Sequence, residues 1–152
     1  MALTIASLNV KGLRDNTKRR EVFNWLRKKN YSAYMLQEVH CTENTNQVWS
    51  AEWGYQAIFM GGLTKTHQNS VKVVQEFSEK LDLVDVWRIL HPDTSRFTWR
   101  QPHPKVHCRL DFFLVSQSTV NITTLADIVP GYKTDHSMTT LCLSLHSNLR
   151  GW

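Results

Sequence analysis

The stretch whose reading decides the fold opens with Leu3-Thr4-Ile5-Ala6-Ser7-Leu8-Asn9 and closes with Ala33-Tyr34-Met35-Leu36-Gln37-Glu38. The first run alternates and is rich in Leu and Ile, which predicts a strand. Lys11-Gly12-Leu13-Arg14-Asp15-Asn16 reads as a loop, and Thr17 as the N-cap of a helix through Lys29. Val22, Phe23, Trp25 and Leu26 supply the buried stripe of that helix. Arg27, Lys28 and Lys29 favour the negative dipole end, and Asn30 suits a left-handed stop. The second apolar run then predicts another strand. A strand, a crossover helix and a strand imply two parallel neighbours, with Asn9 and Glu38 at the same end of the sheet.

Working outward, residues 44–53 read as a short helix and Tyr55–Met60 as a strand, before Gly61-Gly62 interrupts the chain. Asn69 is expected to cap a helix to about Leu81, with Val73, Val74, Phe77 and Leu81 on its buried face. Leu83 to Leu90 is apolar without a clear period, anchored by Trp87. Arg96 to Arg100 predicts a strand and Gln101-Pro102-His103-Pro104 a turn. Strands follow at about 108–115, 121–128 and 138–145. Those at 33–38 and 108–115 are expected to be the most buried. The pattern is one α/β domain over residues 1–146 with a tail at 147–152, and no repeat or linker.

With 152 residues and 41% hydrophobic content, the chain can bury a core. The net charge of +5 is unevenly spread. Residues 1–30 hold eight Lys/Arg and two Asp/Glu, whereas the remaining 122 hold ten and eleven. This basic start suits a polyanion such as nucleic acid, or equally a solvated helix face. Three cysteines, Cys41, Cys108 and Cys142, imply no disulfide framework and suit a reducing compartment. His40-Cys41 and His107-Cys108 lack structural zinc spacing. His67, His91, His103 and His146 read as surface residues. The first apolar run reads as a strand and not a signal peptide, and no stretch approaches the ~20 apolar residues of a membrane span.

Several polar residues stand at strand ends. Asn9 and Glu38 close their runs, and Asp135-His136 precede Ser137-Met138-Thr139-Thr140-Leu141-Cys142-Leu143. Asp111 lies inside Cys108-Arg109-Leu110-Asp111-Phe112-Phe113-Leu114-Val115, where alternation places it beside Arg109, Phe113 and Val115. A carboxylate there needs a partner, either Arg109 next to it or a group from elsewhere in the chain. Hard oxygen ligands, an imidazole and an amide on rigid strands suit Mg²⁺-assisted phosphodiester cleavage.

Ser7-Leu8-Asn9-Val10-Lys11-Gly12-Leu13-Arg14, Leu36-Gln37-Glu38-Val39-His40, Arg109-Leu110-Asp111-Phe112-Phe113-Leu114-Val115-Ser116 and Thr134-Asp135-His136-Ser137 occur in that order. With Leu83-Val84-Asp85-Val86-Trp87 and Phe97-Thr98-Trp99-Arg100, they resemble the endonuclease/exonuclease/phosphatase superfamily. The nearest likeness is to the apurinic-type endonuclease domain of LINE-1-like retrotransposon proteins. The resemblance implies a four-layer α/β sandwich of two mixed sheets flanked by helices, and hydrolysis of DNA phosphodiesters with Mg²⁺ or Mn²⁺. It implies Glu38 as the main metal ligand and Asp135 as a contributor to the metal or water network. His136 is the implied phosphate-contacting histidine, Asp111 the carboxylate that orients it, and Asn9 a partner of metal-bound water and phosphate.

The chain departs from that family in its middle. The Gly-Asp-x-Asn motif and the phosphate-contacting tyrosine of the family are not found. Only eight residues, Gly61 to Gln68, separate Met60 from the start of the helix near Asn69. Lys11 stands where family members often carry an Asn or an acid. The expectation is therefore a truncated sandwich, shortened near 60–68, with an impaired metal-dependent DNA endonuclease function. The alternatives are a non-catalytic DNA-binding remnant, gripping phosphates through Lys18, Arg19 and Arg20, and an unstable truncated product. The implied setting is a monomer in the nucleus or cytoplasm, with DNA as partner.

Overall fold

A computed structural model of the chain describes residues 1–58 and 70–145. The elements in order are β1 (Ala2–Asn9), α1 (Asn16–Lys29), β2 (Ala33–Gln37), α2 (Glu43–Trp53) and α3 (Ser70–Lys80). They continue with β3 (Leu83–Asp85), α4 (Val86–Leu90), β4 (Trp99–Gln101), β5 (Val106–Cys108) and β6 (Leu114–Ser116). Then come α5 (Gln117–Ile122), β7 (Thr123–Val129) and β8 (Met138–Ser144). The expected Gly61-Gly62 break, the Asn69 cap, His67, His146 and the 147–152 tail lie outside the described residues.

The architecture is α/β. A mixed four-stranded sheet has the order β2-β1-β8-β7, accompanied by two antiparallel pairs, β3-β6 and β4-β5. β1 and β2 run parallel in the register Asn9↔Gln37, as the helix crossover requires. β8 and β7 are antiparallel additions. Where a second mixed sheet was expected, the described residues hold only the two short pairs.

Period-two alternation divides the core between the faces of the sheet. On one face Ala6, Leu8 and Met138 pack with Val22, Phe23 and Leu26 of α1 and Trp49 of α2. On the other, Leu3, Ile5, Leu141 and Leu143 pack with Val86, Trp87 and Val115. β1 and β8, the central strands, are the most buried. The expectation that 33–38 and 108–115 would be is corrected. β2 is the sheet edge, so its residues alternate between exposed and half-buried.

The N-cap of α1 is Asp15 and not Thr17, because the Asp15 carboxylate accepts the Lys18 N–H at 2.7 Å. Asn30 takes the left-handed stop at φ 52°. The fourth buried residue of α1 is Arg19, and Trp25 is half-buried, stacked on Tyr132.

Three further expectations fail. The 108–115 strand divides into β5 and β6, because 109–113 find no ladder partner among the described residues. Residues 55–58 form no strand. The described part of the apolar face expected for α3, which leaves out Val73, is also not buried. Val74, Phe77 and Leu81 are 40%, 58% and 48% exposed, so no described element closes over them.

Candidate functional site

Asn9 and Glu38 lie at one end of the parallel pair, and the chain segment before β8 returns to the same place. The Thr134 hydroxyl donates to the Asn9 carbonyl at 2.8 Å, tying that segment to the end of β1. The Gly12 N–H donates to the Glu38 carbonyl at 2.7 Å, tying the loop after β1 to the end of β2. Gly12 has φ 81°, and a Cβ there would meet His40 Nδ1 at 3.1 Å. Gly131 matters for space. A Cβ would fall 2.1 Å from the His136 carbonyl oxygen, so a side chain there would displace the loop carrying the histidine.

The clearest contact is between Asp111 and His136. His136 Nδ1 lies 2.8 Å from Asp111 Oδ2, with both side chains largely buried. Asp111 therefore has a partner from 25 positions away and not Arg109, which pairs with Asp85. Thr98 holds the arrangement. It is fully buried, and its hydroxyl oxygen accepts the N–H groups of Leu110 and Asp111 at 2.9 and 3.0 Å. Its carbonyl accepts the Ser137 N–H at 2.6 Å, while Trp99 bridges to His136. One residue thus anchors the backbone on both sides of the dyad.

Beside it, Asp135 Oδ2 accepts from Lys11 Nζ at 2.7 Å and from the Trp99 indole at 3.3 Å. Burial pushes the Asp135 carboxyl upward, but hydrogen bonds from Lys11, its own backbone and Trp99, with the Lys11 charge, hold it below the usual range. Asn9 is buried, and its Oδ1 accepts the Lys11 N–H at 3.0 Å. Glu38 is exposed at φ 52° and makes no side-chain hydrogen bond among the described residues.

Asn9 and Asp135 are already committed to partners within the chain, whereas the Glu38 carboxylate is open to a divalent ion. Mg²⁺ keeps several waters and needs open carboxylate oxygens in near-octahedral array. Asp135 offers one oxygen already held by an ammonium and another closed from solvent with no hydrogen-bond partner among the described residues. Asn9 spends its oxygen on backbone. Among the described residues, no three His, Cys, Asp or Glu side chains form a metal-holding group.

The three basic residues assigned to nucleic acid separate in the structure. Arg19 is corrected, because it is 4% exposed and faces inward. It donates to Glu52 at 2.5 and 3.2 Å, to Asn16 Oδ1 at 2.7 Å and to the Leu13 carbonyl at 3.1 Å. That hydrogen bonding holds Glu52 below the usual carboxylate range, against a smaller opposing push from burial. Lys18 is half-buried and caps the Val10 and Lys11 carbonyls at 2.8 and 3.0 Å. Arg20 stays exposed, at 3.5 Å from Glu52.

Thr98 and Trp99 escape a reading by residue type, since both are ordinary strand formers. Their only signal was membership of the Phe97-Thr98-Trp99-Arg100 segment. Arg100, from the same segment, donates to the Ser137 hydroxyl at 3.3 Å.

No family model matches the chain. It is similar to the Transposon TX1 uncharacterized 149 kDa protein of Xenopus laevis, at 38% identity over 79 residues. That match covers 52% of this chain and 6% of the relative, so the chain spans a small fraction of the transposon protein to which it is similar.

Proposed function

We propose that the chain is an endonuclease-like segment of a LINE-type retrotransposon protein that grips DNA phosphodiesters and hydrolyses them poorly. The observation that carries this reading is the Asp111–His136 hydrogen bond of 2.8 Å, beside Asn9 and Asp135 at one sheet end. An Nδ1–H donated to Asp111 fixes the imidazole plane and leaves Nε2 to face a phosphate oxygen. Lys11, Arg14 and Arg20 are exposed near this end of α1 and add positive charge for a polyanion. The transposon similarity supports the origin. DNA is the partner in this reading, with the chain acting as a monomer in the nucleus or cytoplasm.

Hydrolysis is weak in this reading because the Gly-Asp-x-Asn pair that would align water is not in the sequence. Loss of one such group removes on the order of 10²–10⁴-fold of rate. The test is fluorescence anisotropy with an abasic-site duplex across a salt series. Affinity should fall steeply with salt, and Arg20→Ala should reduce the log–log slope by about 1. His136→Ala should weaken binding at every salt concentration. Binding indifferent to salt, or unchanged in His136→Ala, refutes the reading.

A second reading, an unstable truncated product, is favoured by Phe77, Leu110 and Leu125, which are 58%, 55% and 50% exposed. A cooperative thermal transition excludes it.

A further inference from the structure

We propose that Lys11 is the built-in cation of this site. Its ammonium neutralises Asp135 and presents positive charge to a phosphate ester, the work a divalent ion would otherwise do. The inference rests on the phosphodiester-binding reading and adds how the anion is held.

The geometry of the loop carries it. Lys11 adopts φ 50°, a left-handed conformation rare for a side chain that is neither Gly nor Asn. Three hydrogen bonds hold the backbone there. The Lys11 N–H donates to Asn9 Oδ1 at 3.0 Å, and the Val10 and Lys11 carbonyls accept from Lys18 Nζ. Held this way, the side chain reaches Asp135 Oδ2 at 2.7 Å, where the Trp99 indole donates to the same oxygen. The ammonium itself remains well exposed, with its side chain at 62% accessibility. Lysine carries three donors, so two remain for an incoming anion after the bond to Asp135.

The surrounding charges agree with this role. Asp111 is committed to His136, and Arg100 donates to the Ser137 hydroxyl. Lys18 adds a second ammonium behind the loop. Glu38 is a further carboxylate at this end, and it is exposed. Asp135, one of the two acids that the resemblance offers to a divalent ion, has a lysine as its counter-ion. An ion bound to the oxygen that Lys11 touches would lie no more than about 5 Å from the ammonium, given Mg–O distances of ~2.1 Å. Two positive charges on an ion at that range, against one on lysine, weaken binding on the order of 10-fold even in water.

The experiment uses the full chain. Mn²⁺ binding is followed by loss of the free-ion electron paramagnetic resonance signal. Inorganic phosphate binding is followed by ³¹P nuclear magnetic resonance in EDTA. Removing the charge in Lys11→Ala should raise Mn²⁺ affinity on the order of 10-fold, and Asp135→Asn in that background should abolish the gain. The same Lys11→Ala variant should bind phosphate about 5-fold more weakly, as expected for ~1 kcal/mol from one exposed charge. Lys11→Arg should keep both wild-type behaviours, separating charge from any disturbance of the loop. Unchanged Mn²⁺ affinity in Lys11→Ala overturns the proposal. If His136→Ala loses phosphate and Lys11→Ala does not, the phosphodiester reading stands and the lysine's role fails. If neither variant changes phosphate binding, both fail.

Discussion

Replacing Thr98 with valine tests the site through its least conspicuous member. The substitution keeps the branched shape at a fully buried position and removes the one oxygen that accepts both the Leu110 and Asp111 N–H groups. A typical intramolecular hydrogen bond contributes about 0.5–1.5 kcal/mol, and a buried donor left unpaired costs about 1–3 kcal/mol. Both donors sit on a partly buried segment, so the lower figures apply and the loss is about 2 kcal/mol. For a domain of this size, 1 kcal/mol shifts Tm by about 2–4 °C, so a fall of about 4–8 °C is expected in a circular dichroism melt. The second effect is functional. Asp111 loses one of the bonds that aim its carboxylate at His136, so the low-field Nδ1 proton of His136 should broaden or vanish in a proton spectrum. A melt lowered by less than about 1 °C, with that proton unchanged, would refute the role assigned to Thr98.

Other outcomes follow from the same geometry. Arg19→Met should destabilise the fold by about 3 kcal/mol, since it leaves the Glu52 carboxylate facing a partly buried gap, and urea denaturation measures this. The Glu52 folded pKa is depressed, so its stabilisation is complete above the ordinary carboxylate range and is lost as pH falls through the folded value. Acid titration of Arg19→Met should accordingly show a shallower loss of stability than wild type. Burial raises the Tyr34 phenol, whose hydroxyl donates to the Leu26 carbonyl at 2.7 Å. Its contribution is present below the ordinary phenol value and lost as pH rises through the folded one, which alkaline melts of Tyr34→Phe against wild type would reveal. Phe77→Ser, on the open face of α3, should change stability by no more than about 0.5 kcal/mol while reducing aggregation in light scattering.

The parts of the fold that could be read from sequence were those set by local periodicity. β1, α1 and β2 follow from a run of period two, a helical stripe and a second run, and Asn30 marks the helix end. Asp111 demanded a partner because a carboxylate in an apolar strand needs one, and His136 meets that need. The basic run misled because charge alone does not say which way a helix residue faces. Arg19, Val22, Phe23 and Leu26 stand at i, i+3, i+4 and i+7, so the period already placed the arginine inward. Residues 108–115 alternate like a strand, but a ladder requires a neighbour, and 109–113 have none among the described residues. The same limit explains β2. Its apolar composition suited a central strand, and only the sheet order shows it to be an edge. The Lys11–Asp135 pair joins residues 124 positions apart through a left-handed loop, which no short-range pattern encodes.

The measurement that bears most directly on the account is a supercoiled-plasmid nicking assay with Mg²⁺, run with wild-type chain, Glu38→Ala and His136→Ala, alongside salt-dependent DNA binding. Nicking at or barely above background is expected in all three, with salt-sensitive binding kept by Glu38→Ala and weakened in His136→Ala. Robust nicking by the wild type that Glu38→Ala abolishes would contradict it, because Glu38 would then be serving a working hydrolytic centre.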